Sequence, residues 1–196
     1  MKQNTVTIKW LEHKLDQQNV NKKRKELLKN AYGQVLEVGM NFESCIPYFT
    51  DDVRHVTAIT KEHKMNPYSE QAVTVICGSE LSLPFADGIF DTVVSHFQLG
   101  LTSNPEQVLT EMRRVLKPHG RLLAMELGGI TNKYVDKVND KVSKVISYTG
   151  GIYRNRNYIE LIRDAGFLIA EKTILDTRIN PKLLYGQLYT IIAVNN

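Results

Sequence analysis

The 196-residue chain is 42% hydrophobic, enough for one domain with a sizeable core and no need of a second. Its 25 basic and 21 acidic residues leave a net charge of only +4, too small an excess to argue for nucleic acid or an anionic membrane as partner. Cys45 and Cys77 form neither a metal-ligand nor a Cys-x-x-Cys spacing, so no metal is expected and a reducing, cytoplasmic setting is, with no signal peptide or membrane-length apolar run to argue otherwise.

Ile8, Leu11 and Leu15 mark one N-terminal helix; Val20, Leu27, Leu28 and Ala31 mark another before Tyr32-Gly33. Residues 1–33 are expected to cover an edge of a sheet, with the run Lys22-Lys23-Arg24-Lys25 as a solvated helix face of no assigned function. Gln34 to Val38, His55 to Thr60 and Ala72 to Cys77 are apolar runs of strand length. Ile89 to Ser95 is a fourth, β-branched and apolar enough to lie mid-sheet, buried on both faces.

Ser103 with Glu106 predicts a capping box and Pro105 a first helical position. Val108, Leu109, Met112, Val115 and Leu116 then recur at helical spacing until Pro118 and the His119-Gly120 turn stop the helix. Arg121 to Glu126 follows as a fifth strand, and strand, helix, strand in this order implies a right-handed parallel crossover and hence a doubly wound α/β sheet. Val135, Val138, Val142, Val145 and Ile146 share one helical face. Tyr158 to Asp164 makes a shorter helix ended by Ala165-Gly166-Phe167, and strands near Leu168 to Leu175 and Gln187 to Val194 complete seven.

The blocks Leu83-Pro84-Phe85, Phe90-Asp91, Val115-Leu116-Lys117-Pro118-His119-Gly120 and Arg121-Leu122-Leu123 resemble, in order and spacing, the ubiquinone/menaquinone C-methyltransferase-like branch of the class I S-adenosylmethionine-dependent methyltransferases. The resemblance implies a Rossmann-like sheet of seven strands, mostly parallel with the last antiparallel, helices on both faces, and a single domain over 1–196. It also implies S-adenosylmethionine as cofactor, bound around Glu37, Gly39, Asn41, Thr60, Ser79, Glu80, Leu81 and His96.

Several of these positions depart from the family pattern. The first-strand turn Gly39-Met40-Asn41-Phe42-Glu43 keeps one glycine where the family carries a GxGxG turn, and Glu43 is equally well read as a carboxylate that stabilises the start of a helix. Thr60-Lys61 stands where an acidic residue accepts both ribose hydroxyls; Glu62 is the nearby alternative. Gly78-Ser79 replaces Gly-Asp, so Ser79 or Glu80 is left to meet the adenine amino group. Cofactor binding is therefore either retained in weakened form or lost.

His96, at the carboxyl edge of the fourth strand, is the candidate catalytic base. Pro47-Tyr48-Phe49, Gly150-Gly151, Arg156-Asn157-Tyr158 and Ala165-Gly166-Phe167 are similar to blocks in alkyl-thiol and phospholipid methyltransferase-like members. They imply a substrate lid at 130–156 with Tyr153 and Arg154 facing a small or lipid-like acceptor. The expected function is methyl transfer to such an acceptor; the alternative is a methyltransferase-fold protein that no longer catalyses and acts as a binding or regulatory module. No Asn/Asp-Pro-Pro-Tyr/Phe block points to a nucleic-acid substrate, and no GxGxxG fingerprint points to a nicotinamide cofactor.

Overall fold

In a computed structural model, residues 17–39, 42–61, 73–128, 153, 156–180 and 184–196 are described. The first N-terminal helix, the helix expected over 135–146, most of the 130–156 lid, and Asn41, Glu62 and Arg154 lie outside them.

Seven strands form one sheet: β1 (Gly33–Gly39), β2 (Val53–Thr60), β3 (Val73–Cys77), β4 (Phe90–His96), β5 (Leu116–Gly128), β6 (Phe167–Asn180) and β7 (Leu184–Asn195). Their spatial order is β3-β2-β1-β4-β5-β7-β6. Pairings from β3 through β5 are parallel, and β7 lies antiparallel between β5 and β6. The mixed seven-stranded sheet is as expected. β4 is central because Thr92 to His96 are all buried, a run that only a doubly covered strand can use.

Helix α1 (Gln17–Leu28) puts Val20, Leu27 and Leu28 against Val35, Val94, Leu123, Met125 and Leu188 on one face of the sheet. It packs over β5 and β7, so it covers a face where an edge was expected. Helix α2 (Pro105–Val115) and helix α3 (Tyr158–Asp164) cover the other face, where Val108, Leu109, Met112, Val115, Tyr158 and Ile162 are wholly buried. Each such side chain contributes roughly 1.5–3 kcal/mol of transfer free energy.

Two local expectations need correction. The α2 cap is Asn104, whose side chain accepts from the Gln107 amide at 3.1 Å. Ser103 lies one residue too early, while the Thr102 hydroxyl accepts from the Asn104 amide at 3.2 Å and sets the turn. The helix also ends at Val115: Leu116 is already extended and pairs with Phe90. Lys117 stands before a proline, which disfavours helical backbone, and His119, with a φ of 61°, turns the chain back into register at Arg121.

The motif blocks brace the amino end of this sheet. Asp91 accepts from the Gln34 amide at 2.8 Å and from Lys117 at 2.7 Å. Burial opposes its charge, yet these two partners hold its carboxyl below the ordinary aspartate value. Phe85 meets Phe90 edge to face at 5.0 Å. Arg114 binds the Leu83 and Phe85 carbonyls together with Glu111 and Asp87.

Candidate functional site

The strand order reverses between β1 and β4, so their carboxyl ends flank the crevice in which sheets of this kind bind ligands. Gly39 pairs with His96 there. A Cβ on Gly39 would stand 2.8 Å from the His96 carbonyl oxygen and 2.9 Å from Glu37 Oε1, so glycine is required by close packing of the strands themselves. Glu37, two residues earlier on the same side of β1, is wholly buried.

His96 is 2% exposed. Arg24 of α1 reaches it, placing Nε 3.3 Å and Nη2 3.2 Å from His96 Nε2, with Nη1 donating to Asn21 Oδ1 at 2.6 Å. A guanidinium can only donate, so Nε2 is the acceptor and the proton of the neutral ring resides on Nδ1. Burial first, and Arg24 second, push the His96 pKa well below the ordinary histidine value. The nitrogen that would serve as a base thus already carries the guanidinium. Arg24 itself is 4% exposed, which corrects the solvated-face expectation at that one position, while Lys22 and Lys25 are exposed as expected. The signal was present in the sequence, since Arg24 shares the helical face of Val20, Leu27, Leu28 and Ala31.

Among the described residues, Glu37, Cys45 and His96 also bring one potential metal-ligand atom each within 4.8 Å of one another. Ligation through Nδ1 would turn an Nε2–H toward the donors of Arg24, and ligation through Nε2 would displace them. The hydrogen bonding of the ring does not fit a cation.

On the other side of β1, Thr60 is buried at the end of β2, and the Gly78 amide donates to its carbonyl at 2.8 Å. Lys61 reaches across to Glu80 at 2.7 Å; Glu80 is 5% exposed. The Ser79 hydroxyl accepts from the Leu81 amide at 3.2 Å and Leu81 is exposed, so Ser79 shapes its own turn while the edge it borders stays open. Glu37, Gly39, Thr60, Ser79, Glu80, Leu81 and His96 therefore do converge on the carboxyl edge of β1 to β4.

The loop after β4 begins with strained backbone: Phe97 has a φ of 55°, a conformation disfavoured for a bulky residue. The Phe97 amide donates to the Met125 carbonyl at 2.8 Å, and its ring lies 4.5 Å from that of His96. On the opposite face of the sheet, Glu126 of β5 accepts from Ser95 Oγ at 2.7 Å and from the Leu99 and Gly100 amides at 3.0 and 3.1 Å. Burial pushes its carboxyl up to about 7 against these hydrogen bonds. The same loop offers its carbonyls outward. The Tyr153 amide donates to Gly100 O at 2.6 Å, Arg156 Nη1 donates to Leu99 O, and the Arg156 guanidinium stacks 4.2 Å over the Tyr153 ring. Tyr153 is thus half-buried under Arg156. Sequence reasoning assigned no site role to Arg24, Glu126 or Arg156; for Glu126 the available signal was a carboxylate inside an apolar strand.

An S-adenosylmethionine-type cofactor fits the donor set in part. A buried carboxylate at the end of β1, a second at the end of β3 and backbone groups at 79–81 suit its polar groups, while the end of β2 supplies a hydroxyl in place of a carboxylate.

Residues 36–124 match the methyltransferase domain family. The chain is 31% identical over 111 residues to the ubiquinone/menaquinone biosynthesis C-methyltransferase UbiE of Roseobacter denitrificans, an alignment that takes in 47% of this chain and 44% of that one. It is 36% identical over 86 residues to the mitochondrial 2-methoxy-6-polyprenyl-1,4-benzoquinol methylase of Xenopus laevis, covering 43% of this chain and 27% of that one. The chain thus matches less than half the length of these curated relatives. Its fold superposes on a candidate methyltransferase of Bacillus halodurans C-125 with a TM-score of 0.71 at 17% identity, over 90% of this chain and 99% of that one. It also superposes on the cyclase SpnF with a TM-score of 0.65 at 18% identity, over 89% and 79%. With the β3-β2-β1-β4-β5-β7-β6 sheet and the matched segment together, the chain has the class I methyltransferase fold and carries, over residues 36–124, a methyltransferase-domain segment similar to the ubiquinone/menaquinone C-methyltransferases.

Proposed function

We propose that this chain binds S-adenosylmethionine along the carboxyl ends of β1 to β4 and transfers a methyl group to a small-molecule or lipid-like acceptor. The observation that carries this reading is the buried Glu37 carboxylate followed by Gly39 where the strand order reverses, inside the segment that matches the methyltransferase domain.

When bound, the cofactor supplies an electrophilic methyl group on a sulfonium, a reaction accelerated chiefly by alignment of the two partners. Glu37 offers a carboxylate to the methionine amino group. Glu80, oriented by Lys61, and the amides near Ser79 and Leu81 serve the adenosine half. Thr60 accepts at most one ribose hydrogen bond in place of a bidentate carboxylate, and losing a charged acceptor costs about 1.5–3 kcal/mol, or roughly tenfold to a hundredfold in affinity. His96, with Nε2 committed to Arg24, positions that guanidinium and does not take a proton in this arrangement. Tyr153, held under Arg156, borders the acceptor.

The second reading is a binding or regulatory module without methyl transfer. Thr60 and the Lys61–Glu80 ion pair at the ribose edge favour it, and the likeness to a cyclase is a reminder that the fold does not by itself choose the reaction. Calorimetric titration with S-adenosylmethionine and S-adenosylhomocysteine separates the two. Saturable heat from both ligands supports the enzyme, and silence at millimolar ligand leaves the module.

A further inference from the structure

We propose that Glu126 is a positioning residue: its carboxylate gathers Ser95 Oγ and the Leu99 and Gly100 amides, and so fixes the loop after β4 in the conformation that seats Tyr153 and Arg156. The Gln98 amide adds to these donors, so donors from two elements converge on one carboxylate, and among them only the Ser95 hydroxyl can also accept. The ionised carboxylate accepts from the whole set, whereas a protonated one either faces an amide donor against donor or turns its O–H on Ser95 Oγ and gives up that accepted bond. The loop so held starts at the strained Phe97, and it passes the constraint on through its carbonyls, Leu99 O to Arg156 and Gly100 O to Tyr153.

Tyr158 completes the path. Its hydroxyl donates to Leu127 O at 2.9 Å and to Tyr153 O at 3.2 Å, which ties the residue after Glu126 to the same segment. The ionisable groups bordering the clamp are Arg156, whose pKa burial lowers although Tyr158, Tyr153, Glu106 and Glu126 favour its charge; Tyr153 and Tyr158; Tyr189, the register partner of Glu126 on β7; and His96, beside Ser95 on β4. Arg156 is the cation among them, and it favours the ionised clamp. Burial pushes the carboxyl up to about 7 and the loop amides pull it down; opening the loop while Glu126 stays buried in β5 removes only those amides, so the loop tightens as pH rises through that range, although ionising the buried carboxyl costs global stability. What this means for ligand binding rests on the methyl-transfer reading; the clamp itself does not.

Hydrogen exchange tests it on the whole chain. Protection of the Leu99 and Gly100 amides, corrected for intrinsic exchange, is expected to rise with pH through about 7 in the wild type. In Glu126→Gln it should fall about tenfold or more and lose its pH dependence, since one accepting oxygen becomes a donor. The amides of Leu36 and Val93 should not follow. Ser95→Ala removes a group that lowers the Glu126 pKa, so it should displace the wild-type profile to higher pH, and it carries the test if the Gln variant does not fold. Unchanged protection in Glu126→Gln, a flat wild-type profile, or an unmoved profile in Ser95→Ala overturns the proposal. In a separate arm, S-adenosylhomocysteine should bind the wild type more tightly above neutrality than below it. Equal affinity would overturn the link from clamp to site, whereas no heat at any pH would sink the methyl-transfer reading and leave the exchange result standing.

Discussion

Replacing Arg24 with methionine keeps the apolar stem of the side chain but deletes the guanidinium that His96 Nε2 accepts from. Arg24 is 4% and His96 2% exposed, so water does not readily replace the lost donor, and a buried acceptor left without one costs about 1–3 kcal/mol. Methionine does not carry the burial cost of a charge, which offsets part of this loss. We expect a net destabilisation of about 2 kcal/mol near pH 8, or roughly 4–8 °C in Tm for a domain of this size. The pH dependence is the sharper signature. The folded pKa of His96 lies well below 6.5, so its contribution to stability is complete above about pH 6.5 and is lost as pH falls toward the folded value. Without Arg24 burial still depresses that pKa, but less, and the acid loss shrinks. The gap between wild type and Arg24→Met should therefore narrow below about pH 6. Glu126 acts in the opposite sense, its contribution falling as pH rises from 4.5 to about 7, and it cancels in the difference between the two proteins. Urea unfolding across pH reads this directly. A variant as stable as wild type at pH 8, or a gap that widens on acidification, would refute the pairing.

Thr60→Asp should tighten S-adenosylhomocysteine binding by about tenfold to a hundredfold in a calorimetric titration, by restoring the charged acceptor; unchanged affinity would mean that the ribose edge lies elsewhere. Asn104→Ala should cost about 1 kcal/mol in urea unfolding as a lost cap, while Ser103→Ala stays within about 0.5 kcal/mol. A Cβ at Gly128 would stand 2.2 Å from Tyr189 Cε2. Gly128→Ala should therefore cost about 1–3 kcal/mol by overpacking, a loss that shortening Tyr189 to leucine should partly relieve.

The sheet was legible because its signals are local. Ile89 to Ser95 reads as a doubly buried strand and proves central, and the spacing of Val108, Leu109, Met112 and Val115 lies along one face of α2. The motif blocks were legible for the same reason, yet Asp91, Lys117, Phe85, Phe90 and Arg114 brace the amino end of the sheet, away from the carboxyl edge where chemistry would occur. The capping error between Ser103 and Asn104 is a one-residue ambiguity that backbone geometry alone resolves.

The amino-acid sequence by itself determined the seven strands, the likeness to a methyltransferase domain and the lie of Glu37, Gly39, Thr60, Ser79, Glu80 and His96 at or beyond strand ends, because strand and helix periodicity and short motifs are properties of neighbouring residues. Tertiary structure decided what those residues face. Arg24 meets His96 across 72 positions and Glu126 meets Ser95 across 31, and such pairings follow from which strands adjoin and which face each side chain takes. The proton of His96 and the charge of Glu126 depend on burial and on partners brought from elsewhere in the chain. Those are properties of the packed molecule, and no local pattern encodes them.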